Sequence, residues 1–245
     1  MNAAAIGPIE IVLPVHNEAA SIEATLREFY SVASAQGLAV RFLACEDGST
    51  DGTQEILRSL ERDLPLVASC APDRLGYSRA VLQGLRAATA PVVGFIDSDG
   101  QCDPADLPRL VEALSGNDVV CGYRDPRADP PVRMLMSAAF GVPFRLLFRV
   151  RRTDPSCPYL LIRREALDEV LRGSPGILPQ GFWWEFSARV HAAGLRVAEV
   201  PVRHRPRAAG TTQVYKPEKV PRIAAVHLIG LLALRRDITR SERHP

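Results

Sequence analysis

Apolar residues in this chain come in short blocks of strand length, separated by stretches in which they recur every three or four positions. The blocks at 9–15 (IEIVLPV), 40–46 (VRFLACE), 65–70 (PLVASC), 91–97 (PVVGFID), 118–123 (DVVCGY), 158–163 (PYLLIR) and 195–202 (LRVAEVPV) read as β-strands. The periodic stretches near 22–36, 52–62, 78–88 and 104–114 read as helices. Two of these carry start signals. Asp103 is placed to cap the fourth, with Pro104 at its first position and Asp106 in its first turn, and Asp51 with Gln54 resembles a capping box for the second. Strands alternating with helices predict an α/β fold, Rossmann-like, with a mostly parallel sheet covered on both faces. Ligands of such sheets bind beyond the carboxyl ends of the strands.

That rule gathers the polar clusters. HNE (16–18), EDGSTDG (46–52) and DSDGQ (97–101) each follow a predicted strand, so they converge on one rim. Asp97 and Asp99, one residue apart, repel each other unless a cation neutralises them. Hard oxygen ligands suit Mg²⁺ or Mn²⁺, and Gln101 can add a neutral carbonyl oxygen. Magnesium keeps few protein ligands and completes its shell with water and phosphates, so a diphosphate is the natural missing partner. A single aspartate after a strand is as readily a turn or a cap; the three clusters together carry the metal reading. The chain contains no GxxxxGK[ST], GxGxxG, HExxH or GxSxG motif.

Composition sharpens this picture. With 245 residues, 47% of them hydrophobic, the chain can bury a large core. Five scattered cysteines without a CxxC pair argue against a disulfide framework or zinc cluster and fit a reducing compartment. The net charge of +2 hides a split: residues 1–130 carry 10 arginines against 19 acidic residues, and residues 131–245 carry 20 basic against 9 acidic. An acidic half suits metal and polar ligands, and a basic half faces an anionic partner or surface. Aromatic residues make up only 6%, which argues against nucleic acid. The start lacks a basic signal-peptide region, and the longest apolar run, 223–234, contains His227 and falls short of the roughly 20 residues a spanning helix needs. The expectation is a cytoplasmic chain attached to the inner face of the cell membrane. The tail 237–245 reads as disordered.

At this point the motifs resemble the inverting glycosyltransferases of family 2, which have the GT-A fold. IVLPVHNEAASI, EDGSTDGT, LGYSRAVLQGLRAA and DSDGQCDPADLPRL look like that family's opening strand, second nucleotide contact, third-strand helix and metal motif. The likeness covers residues 9 to about 215 and is nearest to the polyprenyl-phosphate sugar synthases, similar to dolichyl-phosphate mannose synthase. Arg124, Arg133 with Ser137, and the element running from Arg207 through Gly210 to Thr212 match elements of that group. Three positions depart from it: His16 stands where Tyr is usual, Glu46 replaces the first Asp of an Asp-Asp pair, and the segment between Arg124 and Arg133 is short.

The resemblance implies a glycosyltransferase domain over 1–215, with a nucleotide-sugar and metal half (1–124) and an acceptor half (125–215), followed by an amphipathic helix and tail (216–245). It implies transfer of a sugar from a nucleotide-diphosphate sugar to polyprenyl phosphate. Pro14, His16, Glu18, Glu46, Asp47 and Asp97 would line the donor pocket, and Asp97, Asp99 and Gln101 would hold the metal. Arg124, Arg133, Ser137 and Arg207 would receive the acceptor phosphate, unless the arginines form only a solvated basic surface. The segments 133–152 and 220–236 mix apolar residues with arginines. They either lie in the headgroup layer or pack as core or dimer helices, and a membrane-anchoring partner protein is the other route to the bilayer. Glu185, beside Trp183 and Trp184 in FWWEF (182–186), is the base that a hydroxyl acceptor requires, or else one acid on a core helix. A third reading is a nucleotide-sugar-binding partner subunit without catalysis.

Overall fold

A computed structural model describes residues 6–128, 131–172, 176–178, 181–207 and 220–243. Seven strands form one sheet: β1 (Ile9–Val15), β2 (Val40–Asp47), β3 (Leu66–Ala71), β4 (Val92–Phe95), β5 (Val119–Arg124), β6 (Leu160–Arg163) and β7 (Val197–Val202). Their order is β3-β2-β1-β4-β6-β5-β7. All neighbours are parallel except β6, which runs antiparallel to both β4 and β5. Every predicted strand is present within a few residues of its expected limits. β1 is buried along its whole length, which explains why it reads as a nearly continuous apolar run.

Alternate residues of the strands feed two cores. Ile9, Ile11 and Leu13 meet α1 (Ile22–Ala35), α2 (Thr53–Leu60) and α4 (Leu107–Ala113) through Leu26, Phe29, Leu57 and Leu110. On the opposite face Val12, Leu43, Val93 and Phe95 meet α3 (Tyr77–Ala87), α6 (Arg164–Leu171) and α7 (Phe182–Ala192). Gly84 lets α3 lie hard against this face, because a Cβ there would collide with Val12 and Cys45. α5 (Pro131–Phe148) and α8 (Val220–Arg243) add a third layer, in which Phe144, Phe148, Leu231, Leu234 and Ile238 pack with Leu178 and Ala188.

Two local expectations need correction. The segment 104–114 opens with a 3-10 turn (Pro104–Asp106), although Asp103 caps it as expected by accepting from the Ala105 N–H at 2.9 Å. Asp51 accepts from the Thr53 N–H at 3.1 Å, but Gln54 turns away to donate to Glu46 and closes no capping box. The tail is ordered further than its polarity suggests. α8 continues to Arg243 because Ile238 enters the third core and Asp237 pairs with Arg189 at 2.8 Å.

Candidate active site

The register Val15↔Glu46 and Val12↔Phe95 brings the carboxyl ends of β1, β2 and β4 to one edge. Pro14, which has no N–H to give, lies past the last residue of β1 that pairs with β4. The loops after β1 and β2 are laced together. The His16 ring bonds the Asp47 carbonyl at 2.8 Å, the Asn17 N–H donates to Ser49 Oγ at 2.8 Å, and the Thr50 N–H donates to Asn17 Oδ1 at 2.9 Å. Asn17 adopts φ +56°, a left-handed backbone that asparagine tolerates better than most residues.

The two acids of β2 hold backbone here. Glu46 is buried and accepts from the Ser49 N–H and from Gln54 Nε2. Asp47 accepts from the N–H groups of Leu75 at 2.6 Å and Gly76 at 2.9 Å, fastening the turn that starts α3. Gly48, at φ +65°, lets this loop approach the Asp73–Arg74 backbone, which any Cβ would strike. Glu46 and Asp47 thus end β2 at this edge, with their carboxylates buried and engaged by the loops around them.

The acidic turn lies beside them. Tyr77 Oη donates to Asp97 Oδ1 at 2.8 Å. Asp99 is buried and accepts from the Gln101 N–H at 3.1 Å, across a turn that Gly100 makes with φ +75°. The chain after β7 is zipped to this turn. The Arg205 N–H donates to the Gln101 carbonyl at 2.9 Å, Gln101 Nε2 donates back to the Arg205 carbonyl at 3.0 Å, and Arg205 pairs with Asp103 at 2.8 Å. This zipper sets Arg207 over the site, 3.1 Å from Glu18 and 3.4 Å from Asp99. Burial raises the Glu18 carboxyl above its ordinary value, against the opposing pull of Ser21 and Arg207.

The donor set suits a hard divalent ion. Asp97 and Asp99 carry carboxylates, and the amide nitrogen of Gln101 donates to the Arg205 carbonyl, so a metal would meet Gln101 through its oxygen. In this structure a guanidinium neutralises Asp99, so the turn already holds a cationic group. Among the described residues no trio of His, Cys, Asp and Glu converges as an all-protein metal cage. Two carboxylates and an amide leave the remaining coordination positions to water and phosphate, as magnesium prefers.

Two expected residues are committed elsewhere. Arg124, its side chain 7% exposed, binds Asp154 through Nε at 2.7 Å and through a terminal nitrogen at 2.9 Å, and reaches Ser156 Oγ at 2.7 Å. Burial pushes Asp154 up, but Arg124, Arg127 and Ser156 reverse this and hold it at about 2. Arg124 is therefore a buried strut and is not an open fork for an acceptor phosphate. Glu185, 1% exposed, accepts from the N–H groups of Gly176 at 3.0 Å and Leu178 at 2.9 Å and pairs with Arg189 at 3.0 Å. Two residues apart on a helix is about 200° of rotation, so while Trp183 faces Tyr77 and the sheet, Glu185 faces away. Of the two readings of Glu185, a base for a hydroxyl acceptor or an acid on a core helix, these contacts fit the second, with Glu185 anchoring the loop before α7. Ser137 is half-buried on α5; the side chain of Arg133 and residues 208–212, with Gly210 and Thr212, lie outside the described residues.

Sequence reasoning missed Tyr77 and Trp183, whose Nε1–H donates to Tyr77 Oη at 2.7 Å. They stand 106 positions apart, and no local pattern joins them. It also missed Asp154, although an aspartate between prolines and arginines in the basic half was a visible cue.

Sheet order, rim and acidic turn define an α/β glycosyltransferase domain with the GT-A architecture. Residues 10–171 match Glycosyl transferase family 2, and the chain belongs to that family. It is 34% identical over 212 residues to an uncharacterized glycosyltransferase of Mycobacterium tuberculosis, covering 84% of this chain and 89% of that protein. It is 32% identical over 166 residues to an undecaprenyl-phosphate 4-deoxy-4-formamido-L-arabinose transferase of Pseudomonas paraeruginosa, covering 66% of this chain and 49% of that one. Its fold is similar to that of glucosyl-3-phosphoglycerate synthase from M. tuberculosis, solved with Mn²⁺, UDP and phosphoglyceric acid. That likeness has a TM-score of 0.70 at 21% identity and covers 95% of this chain and 80% of that one.

Proposed function

We propose that this glycosyltransferase moves one sugar, with inversion, from a nucleotide-diphosphate sugar to a polyprenyl phosphate at the membrane surface. The observation that carries the reading is the meeting of Arg207 with Asp99 and Glu18 on the carboxyl edge, which sets a phosphate-binding group beside an acidic turn. The UDP and Mn²⁺ in the similar fold and the undecaprenyl-phosphate acceptor in the relative's name support the same chemistry.

Asp97, Asp99 and Gln101 would hold Mg²⁺ or Mn²⁺, which neutralises charge on the departing diphosphate. Pro14, His16 and Glu18 line the donor side, on a floor fixed by Glu46 and Asp47. Arg207 aligns the acceptor phosphate for in-line attack on the anomeric carbon, with Arg133 and Ser137 on α5 as further phosphate contacts. A lipid phosphate is already anionic and needs no base, which agrees with the engagement of Glu185 elsewhere. A hydroxyl acceptor requires a base, and the engagement of Glu185 by Gly176, Leu178 and Arg189 favours the lipid-phosphate reading over that one.

The third layer supplies the membrane contact. Leu135, Val142 and Leu146 on α5 are 71%, 54% and 77% exposed, and Ile229 on α8 is 69% exposed. The spacing of the α5 residues makes one outward stripe, while Phe144 and Phe148 turn inward. Arg145, Arg149, Arg235, Arg236 and Arg240 are exposed on the same two helices or at their ends. Apolar stripes edged with arginine fit anionic lipid, where each basic residue near the surface adds about 1 kcal/mol. Among the described residues no helix is long and apolar enough to cross a membrane.

The test is a panel of labelled GDP- and UDP-sugars offered with Mn²⁺ and polyprenyl phosphate. Label entering the organic phase from one donor, and lost with chelator, is expected; label that stays aqueous with every donor would overturn the reading.

A further inference from the structure

We propose that Trp183 and Tyr77 form a positioning relay that fixes the orientation of the Asp97 carboxylate toward donor and metal. The inference rests on the reading of Asp97 as part of that site. Its direction follows from the donors available. An indole N–H can only donate, so Tyr77 Oη must accept from Trp183 at 2.7 Å; the single phenolic proton then points at Asp97 Oδ1, 2.8 Å away. With the phenol held at one end by indole, its proton is directed at one carboxylate oxygen at the other.

Each member of the relay belongs to a packed element, although Tyr77 itself is 39% exposed. Trp183 lies edge-on to Phe95 with ring centroids 4.3 Å apart, and it also packs on Phe182 at 5.0 Å and Phe186 at 5.5 Å. Phe95 is the last residue of β4, two positions before Asp97, so the same indole braces the strand end and, through Tyr77, the carboxylate beyond it. Tyr77 is the first residue of α3, and the turn before it is held by Asp47. The relay thus ties β2, α3, β4 and α7 to one carboxylate oxygen. Tyr77 and Trp183 are positioning residues: both act on the reaction through Asp97.

Tyr77→Phe deletes both hydrogen bonds of the relay and Trp183→Phe only the first, and each keeps a ring in place. Two readings separate the bond from its consequence. The chain has two tryptophans, so Trp183→Phe assigns the Trp183 indole N–H resonance by its disappearance. That resonance is expected downfield in the wild type and shifted upfield in Tyr77→Phe, with no ligand added. For the consequence, Mn²⁺ binding in the presence of UDP is followed by electron paramagnetic resonance. Tyr77→Phe is expected to weaken it roughly tenfold or more, because a hydrogen bond to the charged Asp97 carboxylate is lost, and Trp183→Phe to weaken it by less, because the bond it loses ends on the neutral phenol. The double variant is expected to bind no more weakly than Tyr77→Phe alone, since Trp183 acts through Tyr77. An indole resonance unmoved by Tyr77→Phe, wild-type Mn²⁺ affinity in both single variants, or losses that add in the double variant would each overturn the relay. A wild-type protein that binds neither Mn²⁺ nor UDP, with the resonance shift intact, would instead overturn the reading of the site.

Discussion

Replacing Asp154 with asparagine separates a structural Arg124 from a phosphate-binding one. The pair is buried, bidentate and extended by Ser156. An ordinary aspartate titrates at about 3.9, and the gap to about 2 corresponds to about 2–3 kcal/mol of stability. Because the folded value is depressed, that stability is fully present above about pH 4 and is lost as pH falls toward about 2. Asp154→Asn leaves the Arg124 guanidinium buried without its counter-charge, which costs about 3–5 kcal/mol. For a chain of this size that lowers Tm by about 6–20 °C. The assay is thermal unfolding by circular dichroism of wild type, Asp154→Asn and Arg124→Gln at pH 7, repeated stepwise to pH 2. The Tm gap between wild type and Asp154→Asn is expected to be wide at pH 7 and to shrink between about pH 4 and pH 2. Arg124→Gln is expected to lose Tm as well, with little change in acceptor KM for the folded protein at low temperature. An Arg124→Gln protein with wild-type Tm and a large rise in acceptor KM would refute the reasoning.

Other perturbations probe the remaining parts. Asp99→Asn is expected to lower turnover by about 10³-fold or more while circular dichroism and Tm stay near wild type. Arg207→Ala is expected to raise acceptor KM on the order of tenfold to a hundredfold with a smaller change in donor affinity, read by steady-state kinetics with each substrate varied. Glu185→Gln is expected to lower Tm by several degrees, because it removes one of the carboxylates facing buried Arg189, the one that also holds the loop before α7. Activity lost at unchanged Tm would restore the general-base reading. The pair Leu146→Glu and Ile229→Glu is expected to abolish co-sedimentation with phosphatidylglycerol vesicles without lowering Tm, since both side chains are exposed.

The sheet was legible because strands buried on both faces leave short apolar runs, and helices covering them leave a 3.6-residue period. The direction of β6 was not legible: an apolar block of four residues carries no sign of whether its neighbours run with it or against it. The ordered part of the tail was also hidden, because DITRSER is polar and its two anchors, Asp237 and Ile238, are single residues whose partners lie on distant elements. The rim motifs were readable since each follows its strand directly. What sequence could not show is which polar groups the protein uses for itself. Glu46 and Asp47 are engaged by loops, Arg124 by Asp154 in the segment before β6, and Glu185 by the loop before α7. Motif position locates such residues at a site; only their hydrogen bonds separate ligand contact from scaffold.

The most direct test of lipid-phosphate glycosylation at the Asp97–Asp99 turn is a single-turnover transfer measurement with wild type and Asp99→Asn side by side. Polyprenyl phosphate is compared with the corresponding polyprenol. Label is expected in the organic phase only with wild type and only with the phosphate. Equal labelling of the polyprenol, or undiminished transfer by Asp99→Asn, would contradict it.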